Sequence, residues 1–196
     1  PFQVYTRRQG MPGSHFTAVV SDNRGGTWAG LRNEGLIYLS PKADITQFAD
    51  PRLREVHSLL LMEDNNLLAA TSAGLFIVSP RGVDRFAVAP TPGNPGIPAF
   101  HREAEDAILY SHMQGNFRLR RTGNQWQSEV LDGPTRIRQW ARTKNGTVWA
   151  LGQFEGLVSL RGNRYVAEPP AAERKSRTWH ALYADEEDYL WLGNSE

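Results

Sequence analysis

The sequence of 196 residues contains no cysteine, which excludes disulfide bonds, cysteine-based zinc sites and thiol nucleophiles. Lysine is also scarce, because the 22 basic residues are arginines except at positions 42, 144 and 175. Arginine suits bidentate contacts with carboxylate, sulfate or phosphate, although codon usage in a GC-rich genome would produce the same bias. The net charge of +1 is too small to favour nucleic acid as a partner.

Long apolar runs and catalytic motifs are missing as well. No run reaches the roughly 18–20 residues of a membrane span, so we expect any membrane attachment to lie outside this sequence. No stretch combines about ten residues of helical period with caps. The phosphate loop, the dinucleotide-binding glycine motif, His-Glu-x-x-His and Gly-x-Ser-x-Gly are absent too. These absences predict an all-β protein with no cofactor and no metal site.

A repeat of about 40 residues runs through the sequence. A glycine stands before a short apolar segment at positions 35, 74, 115 and 156, in steps of 39, 41 and 41 residues. In the first copy, four short segments alternate with turns and loops and predict strands a to d at 16–21, 27–31, 35–40 and 45–49. Four-stranded units of this length without helices predict the blades of a β-propeller. Trp28, Trp149 and Trp191 recur on strand b, which favours a role in the core between blades.

The repeat divides the chain into six parts of one propeller domain. The first part holds the outer strand and inter-blade loop of a preceding blade, the fourth is a degenerate blade, and the last is a truncated blade. Five copies are too few to close a ring of about seven blades, so we expect an incomplete part of a larger propeller. The predicted boundaries are 1–14, 15–50, 51–92, 93–132, 133–172 and 173–196.

The pattern Val-x-x-x-x-x-Asp-x-x-Gly-x-x-Trp-x-Gly followed by Gly-Leu resembles the two-component regulator propeller repeat. The best match covers 16–39, and 137–160 is nearly as good. The resemblance implies a periplasmic sensor propeller on a bacterial inner-membrane receptor whose output module is a histidine kinase or a diguanylate cyclase. Some members recognise carbohydrate fragments. The resemblance therefore implies a ligand-binding region without catalysis of its own, with a small molecule or a carbohydrate as ligand.

Two other functions remain open at this stage. A propeller of this kind also suits an enzyme, such as a lyase or a glycan-cleaving protein. Open sheet edges also suit a protein–protein scaffold, with a homodimer formed through the propeller edges. The acidic turn Asp185–Asp188 is read as a solvated hairpin in preference to a calcium loop, because it lacks the calcium-loop pattern.

Candidate ligand-binding residues are those that vary among otherwise regular copies. In a blade, the b–c loops share one rim with the loops that lead into strand a, and rim loops on a rigid scaffold commonly carry recognition. The second copy has only Ser72-Ala73 in this loop, whereas the other loops are polar. The rim-loop candidates are Arg32, Asn33, Glu34, His112, Gln114, Gln153 and Glu155, together with Asn194-Ser195.

A second candidate group lies at the start of strand a, near the expected mouth of the central channel. Histidine and arginine at such a position could hold an anionic ligand or titrate near neutral pH. The alternative is that these polar side chains contact loop carbonyls or water. Aligning the five copies without gaps places in this one position Thr17, His57, His101, Arg138 and His180.

Overall fold

The computed structural model describes residues 4–79, 81–86, 98–134, 136–167 and 179–194. The chain divides into two compact units, Pro1–Pro95 and Gly96–Glu196. Within the described ranges, helical structure is confined to two 3₁₀ turns, Arg7–Gln9 and Pro51–Leu53. No helix in these ranges is long and apolar enough to cross a membrane. The predicted first part of the chain, 1–14, and the loop residue Ser195 fall wholly or partly outside the described residues.

The first unit contains two four-stranded antiparallel sheets, each with its strands in chain order. The first sheet comprises β1 (Phe16–Ser21), β2 (Thr27–Leu31), β3 (Gly35–Leu39) and β4 (Ile45–Phe48). The second sheet comprises β5 (Val56–Leu61), β6 (Leu67–Thr71), β7 (Gly74–Ser79) and β8 (Gly82–Arg85). The predicted strands a and b of the first copy are confirmed residue for residue, and strands c and d end one residue earlier than predicted.

The second unit contains two further four-stranded sheets and one two-stranded sheet. The third sheet comprises β9 (Ala99–Ala104), β10 (Ala107–His112), β11 (Gly115–Thr122) and β12 (Gln125–Leu131). The fourth comprises β13 (Ile137–Arg142), β14 (Val148–Gly152), β15 (Gly156–Arg161) and β16 (Arg164–Ala167). The fifth comprises β17 (Trp179–Ala184) and β18 (Leu190–Asn194). The third copy, degenerate in sequence, forms a complete sheet and has the longest strands.

The recurring glycine has a backbone reason to be glycine. It opens the third strand of each four-stranded sheet, and in all four copies its φ lies in the left-handed region. Side chains rarely adopt this conformation, whereas glycine adopts it without steric cost. The φ values are 90° at Gly35, 127° at Gly74, 146° at Gly115 and 76° at Gly156.

The first turn shows how Asp22 stabilises a hairpin. Asp22 Oδ1 accepts from the backbone N–H groups of Arg24 and Gly26, at 2.8 and 2.7 Å. Its Oδ2 accepts from the Tyr38 hydroxyl at 2.8 Å. Burial raises the pKa of Asp22, but these hydrogen bonds outweigh burial and leave that pKa below its usual value. The aspartate of the repeat is therefore a turn residue in the first copy.

Each unit has its own hydrophobic core between neighbouring sheets. In the first unit, Leu36 of the first sheet packs with Val56 and Phe76 of the second. In the second unit, Leu109 of the third sheet packs with Ile137 and Trp140 of the fourth. A further cluster joins the fourth and fifth sheets, where its buried members are Ala141, Leu151, Leu157 and Leu182.

The expectation that the recurrent tryptophans lie in the core was wrong for Trp191. Trp28 and Trp149 are half-buried and pack against these cores, as predicted. Trp191, Val19 and Tyr183 are each 62% exposed. The second sheet packs against the opposite face of β1, and the fourth sheet packs against the Leu182 face of β17.

Candidate functional site

A β-bulge marks the start of the first strand in four of the five sheets. The pairing skips one residue, for example between Phe16, which pairs with Leu31, and Ala18, which pairs with Gly30. A bulge leaves its residue out of the ladder and re-aims the side chain. The four skipped residues are Thr17, His57, Arg138 and His180.

The placement of His101 in this shared position was wrong. His101 pairs in register with Leu109, and the register of the third sheet shifts at the other end of the strand, where Glu103 is skipped. The His101 ring stacks on Trp140 with centroids 6.2 Å apart, and its Nε2 is buried with no partner among the described residues. The gapless alignment failed because the bulge of this sheet lies at a different point along the strand.

The bulged residues of the first unit have different partners. The Thr17 hydroxyl donates to the carbonyl of Val56 at 2.5 Å, so Thr17 links the two sheets. His57 Nε2 lies 2.9 Å from the Ser72 hydroxyl, which itself donates to Glu55 at 2.6 Å. Because the hydroxyl proton is directed to Glu55, His57 Nε2 is the donor to Ser72. The neutral His57 ring therefore presents Nδ1 as an acceptor.

Sequence reasoning missed the hydrogen bonds that link Glu55, Ser72 and His57. Glu55 was not singled out, and Ser72 belongs to the loop regarded as least polar. One signal was available in the sequence, because Glu55 directly precedes β5 and Ser72 directly follows β6, and these ends of neighbouring antiparallel strands lie side by side. The backbone N–H of Ser72 accordingly donates to the Glu55 carbonyl at 3.2 Å. Burial lowers the pKa of His57, the charge of Glu55 raises it, and the charge of Arg32 lowers it.

The remaining rim-loop candidates of the first unit have partly structural roles. Asn33 takes a φ of 73°, which asparagine tolerates better than most residues. The Glu34 carboxyl group packs against Gly13, where an added Cβ would lie 2.8 Å from Glu34 Cδ. Arg32 is exposed, and its backbone N–H donates to the carbonyl of His15 at 3.0 Å.

In the second unit, the structure brings together several predicted residues of the fourth and fifth sheets. Arg138 Nη1 lies 3.2 Å from His180 Nδ1, which joins the bulged positions of neighbouring sheets. Arg136, which was not predicted, donates through Nη1 to Gln153 Oε1 at 3.0 Å. Glu155 is exposed and accepts the backbone N–H of Phe154 at 3.2 Å. Two guanidinium groups and one imidazole therefore occupy this rim.

His112 does not lie in a rim loop, contrary to the prediction. It is the last residue of β10, is fully buried, and stacks on Phe117 with centroids 5.1 Å apart. Its Nδ1 accepts the backbone N–H of Gln114 at 3.1 Å, so only Gln114 of the two is exposed. The prediction was wrong because β10 has six residues, whereas the second strand of every other described sheet has five, so His112 belongs to the strand and not to the loop.

The acidic turn at Asp185 forms a hairpin turn like that of the first copy. Asp185 Oδ1 accepts from the backbone N–H groups of Glu187 and Tyr189, both at 2.9 Å. Its Oδ2 accepts from Trp191 Nε1 at 2.7 Å, and this hydrogen bond is the main reason that the pKa of Asp185 is lowered. Throughout the described ranges, no group of three or more histidine or acidic residues could hold a metal ion.

Stability is expected to fall as the pH drops below about 6.5. Burial lowers the pKa of His57, His101 and His112, so the folded chain binds fewer protons than the unfolded chain below the ordinary histidine value. The stability that these neutral histidines contribute is therefore fully present above about pH 7. It is lost as the pH falls through their lowered pKa values. The free energy of unfolding, measured in urea between pH 7.5 and 5, tests this.

His112→Phe is expected to reduce that pH dependence, because a buried phenyl ring has no proton to gain. The matched control is His15→Gln, which removes a solvent-exposed imidazole. A slope in His112→Phe equal to that of the unmodified chain would contradict the assignment.

Successive four-stranded antiparallel sheets, each formed by consecutive strands of the chain, are typical of the blades of a β-propeller. No family model matches the chain, and no curated protein matches it. Among solved structures, the extracellular domain of a protein described as the hybrid two-component system BT4673 from B. thetaiotaomicron matches with a TM-score of 0.72 and 16% identity. That match covers 92% of this chain and 28% of the other. The corresponding domain of BT3049 matches with a TM-score of 0.72 and 17% identity, over 95% and 26% of the two chains.

Virginiamycin B lyase from Staphylococcus aureus matches as well, with a TM-score of 0.68 and 14% identity. This match covers 92% of the present chain and 63% of the lyase. At such identities the likeness shows the fold alone, and it confirms the predicted β-propeller. The chain spans less than two thirds of the lyase and less than a third of the two sensor domains.

Proposed function

We propose that this chain is the ligand-binding part of a periplasmic sensor propeller in a bacterial transmembrane signalling receptor of the two-component or cyclic-di-GMP type, without catalysis of its own. The observation that carries the proposal is the repeated bulge. It removes His57, Arg138 and His180 from sheet pairing and places each beside the rim loop of its own or the neighbouring sheet. A fixed scaffold that presents a different polar side chain in each blade is suited to recognition.

The arrangement around His57 supports binding in preference to nucleophilic chemistry. Nucleophilic attack by a serine requires the neighbouring histidine to accept the hydroxyl proton. In this chain the Ser72 proton is directed to Glu55, and His57 donates to Ser72. The similarity to extracellular domains of two-component systems supports the sensor role and the periplasmic location.

An enzyme is the second candidate, favoured by the similarity to virginiamycin B lyase. In that case His57, whose Nδ1 is free to accept a proton when the ring is neutral, would be the candidate base. A scaffold that forms homodimers through open faces is a third reading, and the exposed side chains of Val19, Tyr183 and Trp191 support it.

One experiment separates these functions. The purified chain is mixed with a library of metabolites and oligosaccharides, binding is followed by thermal shift, and the same samples are examined for products by mass spectrometry. We expect binding without turnover, weakened in His57→Gln or in Arg138→Gln, according to the unit that holds the ligand, and unchanged in Arg164→Gln. Product formation that is lost in His57→Gln would establish the enzyme instead. A concentration-dependent dimer with no binding of any compound would favour the scaffold.

A further inference from the structure

Some arginine side chains in this chain are paired with carboxylates. Arg118 bonds to Glu103 at 2.6 Å, Arg52 bonds to Asp50 at 2.6 Å, and Arg164 bonds to Asp132 at 3.2 Å. The arginines at the rim of the fourth and fifth sheets have partners of a different kind. Arg136 bonds to the amide oxygen of Gln153, and Arg138 bonds to the imidazole of His180, so both guanidinium groups have neutral partners.

Both arginines keep donors for a further partner. A guanidinium has five N–H groups, and Arg138 uses one of them on His180 among the described residues. Arg138 and His180 are exposed, so a ligand can reach them from solvent. The acidic residue of the adjoining loop, Glu155, accepts the backbone N–H of Phe154, and no ion pair joins it to Arg136 or Arg138 among the described residues.

The described strands around His180 carry no negatively charged residue. Strands β14 and β18, which pack against β17 or pair with it, contain no charged residue. The charged residues of β13 are Arg138 and Arg142, and Arg142 donates to the backbone carbonyl of Glu103 at 2.6 Å. Among the described residues around Arg138 and His180, the charges on β13 are therefore positive, and the adjoining loop contains one carboxylate, that of Glu155.

We propose that Arg138 and His180 form a binding site for a small organic carboxylate, with Arg136 adding positive charge beside it. A carboxylate matches the planar fork of a guanidinium with two parallel hydrogen bonds. Phe154, at the tip of the same rim loop and 76% exposed, offers an apolar surface for the body of the ligand. This inference rests on the proposed ligand-binding function and names the ligand class for one part of the rim.

The test uses three probes that separate charge from apolar contact: benzoate, benzyl alcohol and acetate. Binding to the full chain is measured by NMR, from the imidazole resonances of His180 during titration. We expect benzoate to shift these resonances in a saturable manner, acetate to do so more weakly, and benzyl alcohol to leave them unchanged. The His180 resonances are assigned by their loss in His180→Gln.

The variants identify the residue that holds the charge. Arg138→Gln is expected to weaken benzoate binding about tenfold or more, because a charge-assisted bidentate contact is lost. Arg138→Lys should retain part of the affinity, since it keeps the charge without the fork. Arg164→Gln is the matched control, as Arg164 is an exposed arginine of the fourth sheet that already has a carboxylate partner, and it should bind benzoate as the unmodified chain does.

Two outcomes would overturn the inference. One is that none of the carboxylates shifts the His180 resonances at millimolar concentration. The other is equal benzoate affinity in Arg138→Gln and the unmodified chain. Failure of this inference is distinguishable from failure of the proposed function, because a neutral glycan that binds the rim independently of Arg138 would leave the sensor role intact.

Discussion

Replacing Arg118 by methionine is expected to lower the free energy of unfolding of the second unit by about 3–5 kcal/mol, because it leaves a carboxylate partly buried without its partner. The Arg118 side chain is 7% exposed and that of Glu103 is 18% exposed. Arg118 also donates to Asn163 Oδ1 at 2.6 Å and to the Gly162 carbonyl at 3.0 Å, which joins the third sheet to the fourth. Urea unfolding followed by tryptophan fluorescence measures the loss, since five of the six tryptophans lie in this unit.

Two further variants show whether burial causes this loss. Arg164→Met removes an ion pair whose partners are both 74% exposed, and its expected cost is below about 1 kcal/mol. Arg118→Met/Glu103→Met removes both charges together and should recover much of the stability lost in the single variant. A cost for Arg118→Met no larger than that for Arg164→Met would show that the network contributes little.

Truncating Leu109 to alanine is expected to cost about 2–5 kcal/mol, through lost burial and the cavity that remains. Leu109 is fully buried and packs with Ile137 and Trp140 in the core between the third and fourth sheets. The variant should unfold at a lower urea concentration with the same slope, because the surface exposed on unfolding changes little.

Val130→Ala is the matched control for Leu109→Ala. Val130 belongs to the same sheet and is 70% exposed, so its truncation should change stability by no more than about 0.5 kcal/mol. If both truncations cost the same, the third and fourth sheets are not held together by the core described above.

The sheets were predictable because their signals are local. The turn at Asp22 and the glycine at Gly35 act on neighbouring residues, and the alternating pattern of 16–21 marks a strand directly. Such features depend on backbone preferences and on hydrogen bonds within a few residues, so a short stretch of sequence is enough to predict them. The fourth copy has Thr143 and Gly146 in the corresponding turn and Gly156 at the start of its third strand, so the repeat could be recognised from the sequence.

The candidate site was only partly predictable. The shared position of His57, Arg138 and His180 followed from aligning the copies, but His101 did not belong there. A bulge shifts the side chains that follow it to the opposite face, and its position depends on pairing with the next strand. The third copy has its bulge at Glu103, and the residues around His101 give no sequence signal for its position.

Contacts between side chains far apart in the sequence were not predictable either. Ser72 meets Glu55 across 17 residues, and Arg118 meets Asn163 across 45. Each depends on strand register and on the packing of one sheet against another, which set the distances between side chains after the strands have formed.

By itself, the sequence determined the repeat, the four-stranded units and the β-propeller class, because local turn chemistry and alternation specify strands. Tertiary structure alone decided which polar residues face the rim. It placed His112 in the core, directed the Ser72 proton to Glu55, and put Arg138 beside His180 with no carboxylate paired to it among the described residues. The physical reason is that the environment of a side chain arises from register, bulges and sheet packing, which combine residues from distant parts of the chain.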